Sequence, residues 1–188
     1  MIDVERRCIY IHQRKTAGSS IISAFGLTPK QEAWHRFNDG VTGEAWKRRS
    51  EEDKRYFVFS SVRNPFDRLI SAWRYLPETR ERPLLDVLLD PPRKGHAYRH
   101  LTRPQVALLR DPESGALVTD DLIRFETRQT DFDRVCARIG LAPRPLPHLG
   151  AGQRDGDWRG YFDARTRALA EAMFGEDLAT FGYRFEIG

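Results

Sequence analysis

The stretch Ile9-Tyr10-Ile11-His12-Gln13-Arg14-Lys15-Thr16-Ala17-Gly18-Ser19-Ser20 decides the fold. Cys8-Ile9-Tyr10-Ile11 is a continuous apolar run, the pattern of a parallel strand buried on both faces. It passes into a loop of small residues, Thr16-Ala17-Gly18-Ser19-Ser20, whose backbone a ligand can approach. The helix expected next presents unpaired N–H groups and a positive dipole end, both favourable to an anion. Lys15 adds a mobile positive charge, and Thr16, Ser19 and Ser20 add hydroxyls. The loop differs from the nucleotide-kinase pattern G-x-x-x-x-G-K-[ST], because its lysine precedes the glycine and no glycine lies five residues earlier. The plainer alternative is an ordinary strand–helix turn.

A second strand–turn–helix element follows at Tyr56-Phe57-Val58-Phe59-Ser60-Ser61-Val62-Arg63-Asn64-Pro65-Phe66-Asp67-Arg68-Leu69-Ile70-Ser71-Ala72-Trp73. Asn64 is a good helix N-cap and Pro65 suits the first helical position. Phe66, Leu69, Ile70 and Trp73 recur at helical spacing as the buried stripe, while Asp67, Ser71 and Arg74 lie on another face. Arg63 stands at the strand end, where α/β proteins place ligands, and its guanidinium can hold a phosphate through two hydrogen bonds. Ser71 can add a hydroxyl. The plainer alternative pairs Arg63 with a nearby carboxylate and leaves Ser71 as a solvated helix residue. Two such elements in one small chain point to a ligand with two separated phosphate-like groups.

Together these residues resemble the sulfotransferase superfamily, closest to its carbohydrate (heparan/chondroitin-type) branch. Lys15-Thr16-Ala17-Gly18-Ser19-Ser20, with Arg14 before it, is similar to the family's loop for the 5′-phosphosulfate of 3′-phosphoadenosine 5′-phosphosulfate (PAPS). Arg63 and Ser71 resemble its 3′-phosphate site. The R-N-P-x-D-R-x-x-S pattern is the more specific of the two. Weaker likenesses run through His100-Leu101-Thr102-Arg103-Pro104-Gln105, Asp121-Leu122-Ile123-Arg124-Phe125-Glu126 and Phe181-Gly182-Tyr183-Arg184-Phe185. One departure follows Leu146-Pro147-His148-Leu149, where the family often shows an asparagine and a lysine. This chain has Gly150-Ala151-Gly152-Gln153-Arg154, and the resemblance puts Arg154 in the lysine's place near the donor.

The resemblance implies an α/β fold of the P-loop-NTPase-like sulfotransferase type, a single parallel-sheet domain over 1–188. It also implies a PAPS-dependent enzyme that sulfates an acceptor hydroxyl on a carbohydrate, anionic glycans included. His35 is the first choice of general base, because related glycan sulfotransferases carry a catalytic histidine between the two phosphate motifs, and histidine suits proton transfer near neutral pH. The plainer reading of His35 is a surface or packing residue. His100 is the second choice, as base or acceptor contact, with Arg103 beside it as a further acceptor contact. Glu32 is a weaker candidate, His12 is expected in or under the donor loop, and His148 is unassigned. No metal is required. Two other classes stay open at this point. One is a phosphate-loop kinase using ATP, and the other is a non-catalytic nucleotide or polyanion binder.

Composition agrees with a soluble enzyme. The chain has 188 residues, 40% of them hydrophobic, and a formal net charge of +4. That length suffices for one domain with a real core, and a moderately basic surface suits an anionic cofactor. No zinc-finger spacing, RNA-recognition aromatics or basic heptad helix is present, so nucleic acid is not an expected partner. No run approaches a membrane span, and Met1-Ile2-Asp3-Val4-Glu5-Arg6-Arg7 does not read as a signal peptide. The expectation is a cytoplasmic protein. Cys8 and Cys136 sit in apolar patterns and read as buried thiols. Glu51, Glu52, Asp53, Lys54 and Arg55 read as a solvated face.

The pattern predicts strands near 7–12, 56–62 and 121–125, with a weaker one at 31–36. It predicts helices near 18–26, 65–75, 103–110, 131–139 and 164–174. Thr130 or Asp131 is the expected cap of the fourth helix with Gly140 past its end, and Asp163 the cap of the last. Segments 76–102 and 143–160 read as long, acceptor-gating or mobile loops.

Overall fold

A computed structural model describes residues 1–28, 36–149 and 156–186. The described backbone is mixed α/β, a four-stranded sheet with helices, consistent with the sulfotransferase fold. It falls into two compact units, Met1–Val62 with Gln105–Gly150, and Arg63–Pro104 with Ala151–Gly188.

The first unit holds the sheet, in the order β1 (Ile2–Asp3), β2 (Cys8–Ile11), β3 (Phe57–Val62), β4 (Asp121–Arg124). β2, β3 and β4 are parallel, with Ile9 opposite Val58 and Ser60 opposite Leu122. The short edge strand β1, which the apolar pattern did not predict, runs antiparallel to β2. Every residue of β2 is buried, so both faces of the strand are covered. On one face Cys8, Tyr10, Phe59 and Ile123 pack with Ile21 and Ile22 of helix α1 (Gly18–Ala24) and with Phe132, Val135 and Cys136 of helix α7 (Arg128–Arg138). Each such large apolar side chain contributes roughly 1.5–3 kcal/mol by leaving water.

α7 starts three residues earlier than the sequence predicts. Asp131 does not cap it. Its carboxylate lies inside the first turn and accepts from the Arg124 N–H at 2.8 Å and from the Thr127 hydroxyl at 2.7 Å. Arg134 then joins Asp121 and Asp131, which locks the helix to the strand before it. Gly140 does stop the helix, with φ at +68° in the left-handed region. Helix α2 (Glu44–Lys47) is a single turn in this unit.

The second unit is helical. Helix α3 (Pro65–Tyr75) begins as the sequence predicts, with Asn64 accepting from the Phe66 N–H at 3.1 Å and proline at the first position. Residues 76–102 are not a long loop. They form α4 (Pro77–Arg80), α5 (Leu84–Leu89) and α6 (Gly95–Leu101), whose apolar residues Leu84, Val87, Leu88 and Leu101 join the core of Phe66, Leu69 and Ile70. Each of these helices is too short to show a period on its own. The predicted helix at 103–110 shrinks to a 3₁₀ turn, Val106–Leu108, in the first unit. The last helix, α8 (Ala164–Phe181), has the Asp163 cap in a full capping box with Thr166. It runs seven residues beyond the prediction, past a non-helical Phe174 where the pattern breaks. Residues 143–149 have no regular secondary structure, and 158–161 form a 3₁₀ turn. Among the described residues no helix is long and apolar enough to cross a membrane.

Candidate active site

In the first unit the Lys15 loop rests on a chain of hydroxyls. Tyr10 Oη lies 2.5 Å from Ser61 Oγ, Ser61 Oγ lies 2.7 Å from Thr16 Oγ1, and Thr16 Oγ1 donates to the Gln13 carbonyl at 3.1 Å. Each hydroxyl has one proton, so the direction is forced: Tyr10 donates to Ser61, Ser61 to Thr16, and Thr16 to Gln13. Burial, opposed only in part by the Ser61 and Thr16 hydrogen bonds, raises the Tyr10 pKa far above the ordinary phenol range, which keeps this chain protonated. Gln13 Nε2 donates in turn to the Gln105 carbonyl at 2.9 Å. The Thr16 hydroxyl is thus engaged within the protein, and its backbone N–H is the group it has to offer a ligand.

Lys15 and Ala17 both have φ of +66°, while Thr16 between them does not lie in that region. A non-glycine residue there costs about 1–2 kcal/mol, and alternation of this kind turns successive N–H groups toward one concave side, the geometry of an anion nest. Helix α1 has only seven residues and no side-chain cap, so its dipole adds little by itself. His12 lies beneath the loop as predicted. It is buried and donates from Nδ1 to Asn38 Oδ1 at 2.7 Å. A Cβ placed on Gly18 would overlap the His12 imidazole. The glycine is therefore demanded by packing from below. Ser20 is buried and its Oγ accepts weakly from the Leu149 N–H at 3.4 Å, while Arg14, Lys15 and Ser19 are half-buried.

In the second unit Arg63 stands one residue past the end of β3 and is buried. Asp67, buried one helical turn on, accepts from Arg63 Nε at 2.8 Å. The carboxylate pairing considered from the sequence is therefore present, and it fixes the plane of the guanidinium through its Nε edge. Ser71 follows Asp67 by four residues on the same helix face. It is half-buried, and its hydroxyl has no hydrogen-bond partner among the described residues. Asn64 donates from Nδ2 to the Arg184 carbonyl at 2.9 Å, which ties the turn to the terminal segment.

A model of the sulfotransferase family matches residues 5–112, more than half of the chain, and the match contains both elements. The chain belongs to the sulfotransferase family. Membership supports sulfotransfer as its general activity and an enzymatic role. No curated protein and no solved structure matches the chain.

Within this sulfotransferase-family chain, the second unit also brings His100 and Arg103 to one residue. Arg68, fully buried, donates from Nη1 to the His100 carbonyl at 3.2 Å and from Nη2 to the Arg103 carbonyl at 2.8 Å. Burial lowers its pKa to about 10, opposed by the nearby Asp177 carboxylate, and it remains a cation at neutral pH. The His100 ring is buried, stacks against Tyr75 with centroids 5.5 Å apart, and lies tilted against His96 at 4.4 Å. His35, Glu32 and Arg154, and the predicted strand at 31–36 save its last residue, lie outside the described residues. His148 lies in the irregular segment 143–149, where the Leu149 N–H donates to the Pro147 carbonyl at 3.0 Å.

Three structural partners escaped the sequence reading, Tyr10 and Ser61 under the loop and Arg68 on the 100–103 segment, while Asp67 was expected on Arg63 only as an unnamed carboxylate. Tyr10 reads as one more apolar strand residue, and Ser61 as a tolerated small residue. Asp67 and Arg68 did carry a signal. Charged residues flanking the buried stripe of α3 are expensive to bury unless paired, so their burial had to come with partners.

Proposed function

We propose that this enzyme transfers the sulfuryl group of PAPS to a hydroxyl of a carbohydrate acceptor. The observation that carries the reading is the alternating backbone at Lys15, Thr16 and Ala17, an anion nest with a lysine in it at the end of a buried strand, inside a sulfotransferase-family match. In this reading the N–H groups of Thr16 to Ser20, with Arg14 and Lys15, take the 5′-phosphosulfate, and Arg63 and Ser71 take the 3′-phosphate. Arg154 assists at the donor, and His100 and Arg103 contact the acceptor. Residues 1–188 act as one catalytic domain.

The chemistry asks for little covalent help. An acceptor oxygen forms a bond to sulfur as the bond from sulfur to the 5′-phosphate oxygen breaks, and the acceptor proton passes to a base, for which His35 is proposed. Negative charge grows on the leaving phosphate oxygen. Lys15, held in a strained backbone, is suited to meet that charge without reorganising.

The test is thermal unfolding with adenosine 3′,5′-bisphosphate, with ADP and ATP–magnesium as controls. Ligand at ~100 times its Kd adds about 2.7 kcal/mol of stability. Stabilisation by the 3′-phosphorylated nucleotide alone, followed by sulfate transfer from PAPS to a glycan panel, is the expected result. Stabilisation by ATP–magnesium alone would replace the reading with a kinase. Nucleotide binding without any transfer would leave a non-catalytic binder.

A further inference from the structure

The first unit contains a cavity of about 440 Å³ that the proposed reaction does not use. It opens at Phe57 and Val58, where β3 begins, whereas the Lys15 loop follows the far end of the parallel strand β2. It therefore lies at the opposite end of the sheet. Its volume falls in the range of roughly 300–1,000 Å³ typical of small-molecule sites.

The lining is cationic and aromatic. Arg49, Lys54, Arg55 and Arg138 face two carboxylates, Asp111 and Asp120. One oxygen of each carboxylate is committed elsewhere. Asp111 Oδ1 closes its own turn by accepting from the Glu113 and Ser114 N–H groups. Asp120 Oδ2 accepts from the Val58 N–H at 2.7 Å and continues the sheet. Lys54 is held by Glu51 at 2.5 Å. The guanidinium groups of Arg49, Arg55 and Arg138 have no carboxylate within ion-pair distance among the described residues.

Two of these guanidinium groups are backed by rings. Arg49 lies over Trp46 at 3.4 Å, with its Nε spent on the Trp46 carbonyl, and Arg138 lies over Phe57 at 5.8 Å. Stacking occupies the flat face of a guanidinium and leaves its in-plane N–H groups for an oxyanion. Three guanidinium groups and Lys54 around one opening outnumber the two carboxylates that line it.

We infer that this cavity is a second anion site, built for a small ligand carrying two or more phosphate or sulfate groups. Phosphorylated metabolites and sulfated sugars share that chemistry, and the test separates them. Calorimetric titration uses inorganic pyrophosphate and a disulfated disaccharide, with the unsulfated disaccharide as control. Each is run on the intact chain, on the Arg55→Gln/Arg138→Gln double variant, and on Lys15→Ala.

Arg55 and Arg138 are exposed, so the double variant should fold normally. It is expected to bind the preferred anion at least about tenfold more weakly, since each charged hydrogen bond is worth more than a factor of ten at best geometry. Lys15→Ala is expected to keep that binding. Pyrophosphate responding alone identifies a phosphate ligand, and the disulfated sugar responding alone identifies a glycan ligand. The proposal is overturned if neither anion binds, if the double variant binds as well as the intact chain, or if only Lys15→Ala loses binding. The last result would mean that the anion sits in the Lys15 loop. A failure here leaves the PAPS reading untouched, because the nucleotide test does not involve these arginines.

Discussion

The His12 imidazole fills the space that a side chain on Gly18 would need. The Lys15 loop is therefore held from beneath by a ring that is fixed to Asn38. Gly18→Ala should force the ring or the first turn of α1 to move and cost about 1–3 kcal/mol, as overpacking does. His12→Ala alone should cost stability as well. The double variant should lose less than the sum of the two, because the second change makes room for the first. Denaturant unfolding of all four proteins measures the coupling, and strict additivity would show that the two residues do not compete for the same space.

Lys15→Ala tests charge stabilisation in the transition state. Loss of one preorganised donor to a developing oxyanion typically costs about 10²–10³ in kcat. The expected pattern is that loss in kcat, with a much smaller change in the Kd for adenosine 3′,5′-bisphosphate. Equal losses in both would reduce Lys15 to a simple binding residue.

Asp67→Asn removes the charge that compensates buried Arg63. Leaving an uncompensated buried charge costs about 3–5 kcal/mol, so a clear fall in Tm is expected. Arg63→Ala should instead abolish the preference for a 3′-phosphorylated nucleotide over ADP, read by competition binding. If that preference persists, Arg63 acts only through its pairing with Asp67.

Cys8 should make the fold sensitive to alkali. Burial, reinforced by Asp3, pushes its thiol from about 9 up to about 12. The folded state therefore holds the proton more tightly than the unfolded chain. Stability is complete below pH ~9 and falls as pH rises from ~9 toward ~12. Unfolding free energies across that window should decline less steeply for Cys8→Ala, although this variant is less stable at neutral pH. An unchanged slope would assign the alkaline loss to another group, with Tyr10 the next candidate because its pKa is raised as well.

Much of this was legible in the residues. Apolar runs marked β2 and the start of β3, because strands buried on both faces are rich in apolar side chains, whereas β4, Asp121-Leu122-Ile123-Arg124, is only partly buried and stood out by its likeness to a family strand. The stripe of Phe66, Leu69 and Ile70, with Asn64 and Pro65 before it, located α3 because caps and helical spacing are local properties. The chain Lys15 to Ser20 and the pattern from Arg63 to Ser71 pointed to the family without any coordinates. Short helices in 76–102 were hidden, since elements of four to seven residues are stabilised by tertiary burial rather than by their own period.

What the sequence determined by itself was which residue types stand at which strand ends, and therefore the family and its general chemistry. Only the tertiary structure decided how those residues are held. The proton order from Tyr10 through Ser61 to Thr16 spans positions 51 and 45 residues apart, and Arg68 reaches carbonyls 32 and 35 residues away. The guanidinium groups of Arg49, Arg55 and Arg138 meet around one opening although the chain separates them by up to 89 positions. Such contacts leave no local periodicity because they join residues far apart in the chain, and for the Tyr10 chain and Arg68 the energy that selects them comes from satisfying buried polar groups after the chain has folded.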